Sequence, residues 1–413
     1  MKQWLKNGVV TGFVCLMGMA GMPSVGSAQE QVTLKFWHTM NEKESLTLNK
    51  IIEAFQQANP QIMVQTEFVP FGDARNKFEI AAQTGTAPDV FRAQSSWIPG
   101  YVDAEYLLAL DEYLSAEDRA DYVSSMLGYN QIDDQTYGLP QVVDALALVY
   151  NKRLLKEAGH DNPPATLTEL EQVVADVKSK LNIEGFYMRG DSYWFLNFLW
   201  AFGGGLVDAE RKIYINNDAS VEALAYLVAQ KDRLFPGDID FANDYNDAMV
   251  LFKEGKVAMI LQGPWATADM LSGKEFQDPA NLGVAPFPKG PRGDQGSPIA
   301  SHSYVMSANS AHPDEAYRFA AFLNQANHQA LFAAENNLLP TRISASNLPE
   351  VKENAIIQGF LAQLQVAKYQ DVIPEMSALY SDLTLNLRAA WRGEKTPKQA
   401  MDDVAAAWQA ILE

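Results

Sequence analysis

The chain has 413 residues and a formal net charge of −19, with 47% apolar and 20% charged residues. That balance excludes a disordered chain, a collagen-like repeat and a polytopic membrane protein, and the excess of acids argues against a general nucleic-acid role. At ~100–200 residues per domain the length predicts two or three domains, large enough to bury cores without disulfides or metals.

Residues 1–28 read as a secretory leader. Lys2 and Lys6 supply the positive start, Gly8 to Met22 an uncharged apolar run, and Gly26, Ser27 and Ala28 a small-residue cleavage site. The run is shorter than the ~20 residues of a membrane span and is interrupted by Gly12, Gly18 and Gly21. Cleavage near Ala28 places the mature protein in the periplasm, moves its charge from −19 to −21 and removes Cys15, the single cysteine. Lipid anchoring at Cys15 is not expected, because Gly12, Phe13 and Val14 lack the Leu and small residues of a lipoprotein signal.

After Gln29, short strands alternate with amphipathic helices. Val32, Leu34 and Phe36 alternate in a first strand, and Ile62, Val64, Thr66 and Phe68 in a second. Between them Ile51, Ile52, Phe55 and Ala58 share one helical face that stops at Asn59-Pro60. Gly85 and Pro88 punctuate a third strand from Asp89 to Phe91. This order predicts an α/β protein with a largely parallel sheet covered by helices. Farther on, Thr168 and Glu171 fit a capping box ahead of the apolar face Leu170, Val173, Val174 and Val177. Gly203-Gly204-Gly205 follows an aromatic helical stretch rather than a strand, so it reads as a helix-ending turn and not a phosphate loop. Thr396, Pro397 and Gln399 open a last helix whose buried face is Val404, Ala407, Trp408 and Ile411.

No Gly-x-Ser-x-Gly elbow, phosphate-binding loop or His-x-x-x-His pair is present, and His38, His160, His302, His312 and His328 are scattered. No metal, cofactor or catalytic residue is therefore assigned. What the sequence does concentrate is aromatic residues beside acids and amides: Asp191-Ser-Tyr193-Trp194-Phe195, Gln262-Gly-Pro-Trp265 and Pro374-Glu-Met-Ser-Ala-Leu-Tyr380. Pyranose rings need that mixture, because their C–H faces pack on aromatic rings while their hydroxyls both donate and accept hydrogen bonds. Trp200, Trp391 and Trp408 fit core positions instead.

Four passages, taken in order, resemble one family. They are Thr33-Leu-Lys-Phe-Trp37; Gly85-Thr-Ala-Pro-Asp89-Val90; Tyr137-Gly-Leu-Pro140 leading to Asp144-Ala-Leu-Ala-Leu-Val-Tyr150-Asn151-Lys152; and Phe252-Lys-Glu-Gly255-Lys256-Val-Ala-Met259 leading to Gly263-Pro-Trp265. Their order and spacing are similar to the sugar-binding proteins of ATP-binding-cassette importers, in the maltose and maltodextrin-binding cluster. The resemblance runs from about Val32 to the end and implies a two-lobed periplasmic-binding-protein fold with hinge segments and an interlobe cleft. Matching passages imply hinges near Gln141 to Asp144, Pro298 to Ser303 and Lys352 to Ala355. The lobes implied are 29–141 plus 303–353 and 142–302 plus 354–413.

The same resemblance implies the site. Asp144 matches an acidic ligand residue, and Asp191 with Tyr193 matches an acid and an aromatic at a helix start. Trp265 matches the aromatic after Gly-Pro, and Tyr380 stands where the family has a Trp. Asn41, Glu42 and Lys43 lie in the first strand-to-helix loop, where the family bonds sugar with a polar pair. The chain departs from the pattern after Asp89: Arg92 replaces an aromatic, and Ser95 and Ser96 stand near the place of an acid–arginine pair. Trp97 is the expected replacement for the missing ring. Arg92 either points into the cleft or forms a surface ion pair.

These departures leave maltose, trehalose, sucrose and glucosyl-polyols open as cargo. The implied activity is capture of a neutral mono- or oligosaccharide by hinge closure, as a monomer, with delivery to a membrane permease. A secreted glycoside hydrolase using Asp144 and Asp191 as paired carboxylates at ~5–9.5 Å is the rival from another class. Polyamine or anionic cargo on the same fold would call for a cleft dominated by one sign of charge.

Overall fold

The computed structural model describes residues 31–208, 210–236, 239–368, 370 and 373–413; the expected leader with Cys15 lies outside them. Twelve strands are formed among these residues: β1 (Val32–His38), β2 (Ile62–Phe68), β3 (Val90–Gln94), β4 (Gln131–Ile132), β5 (Gln135–Thr136), β6 (Gly138–Ala145), β7 (Ala147–Asn151), β8 (Glu184–Tyr187), β9 (Val257–Gln262), β10 (Leu282–Ala285), β11 (Ile299–Met306) and β12 (Leu339–Pro340). They make a six-stranded sheet ordered β12-β6-β11-β3-β1-β2, a four-stranded sheet ordered β10-β7-β9-β8, and the small β4–β5 hairpin.

The sheets are mixed, not largely parallel as the early alternation predicts. β1, β2 and β3 are parallel, but β11 and β12 are antiparallel to their neighbours, and in the second sheet β8–β9 alone is a parallel pair. Chain routing explains the departure. β6 leaves the first sheet and continues into β7 of the second with Leu146 alone between them, while β11 brings the chain back. Neighbouring strands that cross between two sheets in opposite senses pair antiparallel, as β6 and β11 do from Ile299↔Ala145 to Val305↔Gly138.

Local chemistry sets the helices. The helix α1 (Glu42–Ala58) opens on a capping box in which Asn41 Oδ1 accepts the Glu44 N–H at 3.0 Å and Glu44 Oε2 accepts the Asn41 N–H at 2.9 Å. Its Ile51, Ile52 and Phe55 are buried, and Ala58 is exposed at the last turn. β2 keeps its predicted span, but Ile62 is its one buried residue, because it is the sheet edge. β3 extends to Gln94, three residues beyond Phe91. The helix α2 (Phe71–Gln83) buries Ala74, Phe78 and Ala81, with Phe78 stacked on Phe91 at 4.8 Å.

The helix Leu167–Leu181 is capped by Thr166, not Thr168. Thr166-x-x-Glu169 fits the capping pattern as well as Thr168-x-x-Glu171, and a bridge to Lys289 holds Thr166 extended, outside the helix. Glu169 then accepts the Ala165 N–H at 2.7 Å, and Glu171 accepts the Tyr226 hydroxyl instead. The helix Ser192–Ala201 is apolar nearly all round, as a helix sunk in the core must be, and Gly203 ends it at φ +77°. The closing helices Met376–Trp391 and Pro397–Leu412 pack together; Trp408 is fully buried with its Nε1–H donated to Leu379 O at 3.1 Å, and Thr396 and Gln399 form the expected box. Trp200 is buried and Trp391 half-buried against the same core, which serves the second sheet. Two clusters cover the faces of the first sheet, and another, including Val143, Ala147 and Ile260, runs along the crossing strands.

Candidate ligand-binding cleft

The ends of parallel strands border both walls of the candidate site. β1, β2 and β3 end at His38, Phe68 and Gln94; β8 and β9 end at Tyr187 and Gln262. The carboxyl ends of parallel strands open outward into loops and helix starts, the usual place for ligands in α/β sheets.

The first wall is polar and buried. Arg92 projects from β3 and is only 4% exposed; its Nε donates to Gln141 Oε1 at 2.8 Å and its Nη1 to Thr39 Oγ1 at 3.0 Å. The surface ion pair is therefore not what forms: among the described residues no carboxylate lies within ion-pair distance of Arg92. Its positive field instead reaches Asp144, Glu44, His38 and His302. Asp144, on β6, is buried; burial lifts its carboxyl to about 7, and Arg92 offsets part of that rise. His302 Nδ1 lies 3.5 Å from Asp144 Oδ2. Burial, aided by Arg92, holds His302 well below the usual imidazole range and His38 at about 4, so both rings are neutral at pH 7.

Asn41 keeps its cap and also reaches across: its Nδ2 donates to Trp265 O at 3.2 Å, joining the two walls. Glu42 and Lys43 stand exposed on the first turn of α1. Trp97 is buried, with Phe91 stacked at 6.2 Å and Phe71 tilted over it at 5.2 Å. Of the two rings, Phe71 is the one left open.

The second wall is aromatic. Asp191 caps the helix Ser192–Ala201, its Oδ1 accepting the Tyr193 N–H at 3.0 Å, so one carboxylate oxygen serves the backbone. The Tyr193 ring meets Trp194 edge-on at 5.6 Å, and Trp194 meets Trp265 edge-on at 6.4 Å. Trp265 lies in the turn after β9 and donates its Nε1–H to the Tyr245 hydroxyl at 3.2 Å. Its ring covers Gly263, where a Cβ would stand 2.0 Å from it, so the Gly-Pro-Trp sequence is needed for the ring to fold back. Tyr380 donates its hydroxyl to Gln370 Oε1. Tyr193 and Tyr380 share a cavity of about 30 Å³ with Ser95, Ser96, Tyr129 and Ser301.

Several side chains of the two walls carry buried polar atoms without a hydrogen-bond partner among the described residues: Asp144 Oδ1, His302 Nδ1, Ser301 Oγ, Tyr193 Oη, Gln141 Nε2 and His38 Nδ1. Burial and the Asp144 charge raise the Tyr193 hydroxyl well above its ordinary range, which places these two residues within each other's field. The structure thus brings Arg92 and Asp144 together on one wall and links Tyr193, Trp265 and Tyr380 through the other, while Glu42 follows Asn41 on the exposed first turn of α1. Sequence reading missed Glu44, His38, His302, Gln141 and Phe71. Glu44 was legible: it closes the Asn-x-x-Glu box as the third residue of α1, and its buried carboxylate lies within the field of Arg92.

The model of the family described as bacterial extracellular solute-binding protein matches residues 41–330. A putative binding protein of Brucella abortus is 27% identical over 100% of this chain and 99% of its own length. A maltodextrin-binding protein of Bacillus subtilis is 27% identical over 91% of this chain and 84% of its own. Among solved structures, the GacH receptor of Streptomyces glaucescens superposes with a TM-score of 0.89 at 34% identity, covering 92% of this chain and 98% of that one. This chain belongs to the bacterial extracellular solute-binding proteins, in the sugar-binding cluster of ATP-binding-cassette importers that its sequence resembles.

Proposed function

We propose that this protein captures a neutral oligosaccharide or glucoside in the cleft by hinge closure and hands it unaltered to a membrane permease. The observation that carries the reading is a set of buried polar atoms without partners, on Asp144, Ser301 and Tyr193 among others, in a region where Tyr193, Tyr380 and Ser301 line one cavity and the Tyr193 ring meets Trp194 edge-on. Each buried polar atom left without a partner costs ~1–3 kcal/mol, a cost that a ligand rich in hydroxyls removes. The charge balance favours an uncharged ligand: both imidazoles are neutral, Asp144 is raised to about 7, and Arg92 faces Glu44.

Relatives support the class. The GacH receptor is described in complex with acarbose and an acarbose homolog, and the Bacillus subtilis relative is named for maltodextrin. The hydrolase reading gains nothing from the geometry, since Asp191 turns a carboxylate oxygen to its own helix cap.

In this reading 29–141 plus 303–353 form one lobe and 142–302 plus 354–413 the other, with Arg92 and Asn41 meeting the sugar from the first lobe, Tyr193, Asp191, Trp265 and Tyr380 from the second, and Asp144 at the hinge between them. A ligand that contacts both lobes biases the equilibrium toward the closed form, and ~5.5 kcal/mol of differential binding converts 1:99 into 99:1. The secreted, periplasmic protein works as a monomer. A thermal-shift screen of maltose, maltotriose, trehalose, sucrose and glucosyl-glycerol tests the proposal, because a ligand that binds the native state raises Tm. At least one sugar is expected to raise it; no shift with any of them at millimolar concentration would overturn the reading.

A further inference from the structure

The first wall has a ring that the sequence pattern does not point to. Phe71 opens α2 on the helix face that carries Ala74 and Phe78, at the i, i+3, i+7 spacing of a core-facing stripe. Ala74 and Phe78 are fully buried under that stripe, yet Phe71 is 49% exposed. The cause is position: Phe78 lies over β3, stacked on Phe91, whereas Phe71, nearly two turns earlier, projects past the strand ends. Two contacts fix its ring. Trp97 supports it from below at 5.2 Å and 31°, and the His302 ring stands edge-on to it at 5.9 Å and 63°. His302 Nδ1 and its neighbour Asp144 Oδ1 are buried atoms without a hydrogen-bond partner, and the two residues approach to 3.5 Å.

A half-bare ring held rigid by a tryptophan and bordered by unpaired hydrogen-bonding atoms has the chemistry of a pyranose subsite: a flat apolar surface for the C–H face, with a donor or acceptor at its rim for the hydroxyls. We infer that Phe71 is the stacking platform of the first wall, packing on the sugar unit whose hydroxyls reach His302 and Asp144, with Trp97 as its support and not itself a ligand contact. The inference rests on the saccharide reading above. It assigns the ring function of this wall to a residue outside the Arg92–Trp97 stretch, and it requires a ligand with at least one unsubstituted pyranose face.

The test is calorimetry of the full mature protein with maltose, maltotriose, trehalose and sucrose, comparing wild type with Phe71→Ala, Phe71→Trp and Trp97→Phe. For a sugar that wild type binds, Phe71→Ala is expected to weaken affinity about tenfold or more, and Phe71→Trp to stay within about threefold. Trp97→Phe is expected to fall between them, since a smaller support loosens the platform without removing it. A Phe71→Ala variant that melts near the wild-type temperature and binds the same sugar within twofold would overturn the inference while leaving the saccharide reading intact. A wild type that binds none of the four, and not glucosyl-glycerol either, overturns the saccharide reading, and this inference with it.

Discussion

On the wall built by the six-stranded sheet, Arg92, Glu44, Asp144 and His38 are buried, His302 is partly buried 3.5 Å from Asp144, and Arg92 is held by Gln141 and Thr39. On the wall built by the four-stranded sheet the corresponding positions are rings, Tyr193, Trp194, Trp265 and Tyr245, set edge to face. The aromatic wall grows from the loops after the parallel strands β8 and β9, whereas the polar wall takes most of its side chains from within β3 and the antiparallel strands β6 and β11. A polar wall specifies where hydroxyls must be, since a misplaced one leaves a buried group unpaired; an aromatic wall accepts any flat apolar face. On the proposed saccharide reading, selectivity is expected to belong to the first wall and general affinity to the second.

The largest expected effect breaks the first wall. Arg92→Met keeps the length of the side chain but removes the cation that faces two buried carboxyls and the donor to Gln141. Truncating one member of a buried, hydrogen-bonded charge set costs ~2–5 kcal/mol of affinity. Calorimetry with the best sugar of the screen measures it, and an unchanged Kd would assign Arg92 to folding alone. Breaking the second wall costs less. Trp265→Ala is expected to lose ~1–3 kcal/mol of affinity across all bound sugars alike, because a ring face does not read hydroxyl positions. Preferential loss for one sugar would contradict the division between the walls.

The walls were unequally legible in the sequence. The aromatic one is carried by contiguous signals: Asp191-Ser-Tyr193 at a helix start and Gly263-Pro-Trp265 after an apolar strand, where the cap and the missing Cβ dictate the local geometry. The polar one is assembled from residues far apart in the chain, with Arg92 on β3, Gln141 and Asp144 on β6 and His302 on β11. Nothing local to His302 announces that β11 pairs with β6 and sets it beside Asp144; that follows from the crossing strands, whose antiparallel course the βαβα alternation also failed to show. Trp97 illustrates the remaining gap. Sequence reading supplies a ring of the right type in the right stretch, but burial depends on α2, which lays Phe71 over it.

A pH series with an Asp144 variant sharpens the comparison because the difference from wild type isolates one group of the first wall. Asp144 is raised from 3.8 to about 7, so between those values the native state holds a proton that the unfolded chain has released. Through this group the unliganded protein loses stability as pH rises across that window, by at most ~1.4 kcal/mol per pH unit. His38, lowered from 6.5 to about 4, and His302, lowered well below 6.5, act oppositely, since below pH 6.5 the unfolded imidazoles take protons that the native ones refuse. Asp144→Asn removes the first contribution and keeps the second. The Tm difference between Asp144→Asn and wild type is expected to grow in favour of the variant as pH rises from 4 to 7; a constant difference would mean that Asp144 titrates like an ordinary surface acid.

The smallest effect is the most discriminating, because affinity and stability should move in opposite directions. The Tyr193 hydroxyl belongs to the aromatic wall, yet it is buried, has no hydrogen-bond partner among the described residues and feels the Asp144 charge across the cleft. In Tyr193→Phe the ring remains to stack, and the unliganded protein no longer buries an unpaired hydroxyl, so its Tm is expected to stay level or rise slightly. If a sugar hydroxyl pairs with that oxygen in the complex, the same change costs ~0.5–1.5 kcal/mol of affinity. Paired melting and calorimetry on one preparation read both. A fall in Tm together with a fall in affinity would make the hydroxyl a structural contact, whereas a level Tm with weakened binding would make Tyr193 the one place where the aromatic wall also reads hydroxyls, and would locate the bound sugar within reach of Asp144.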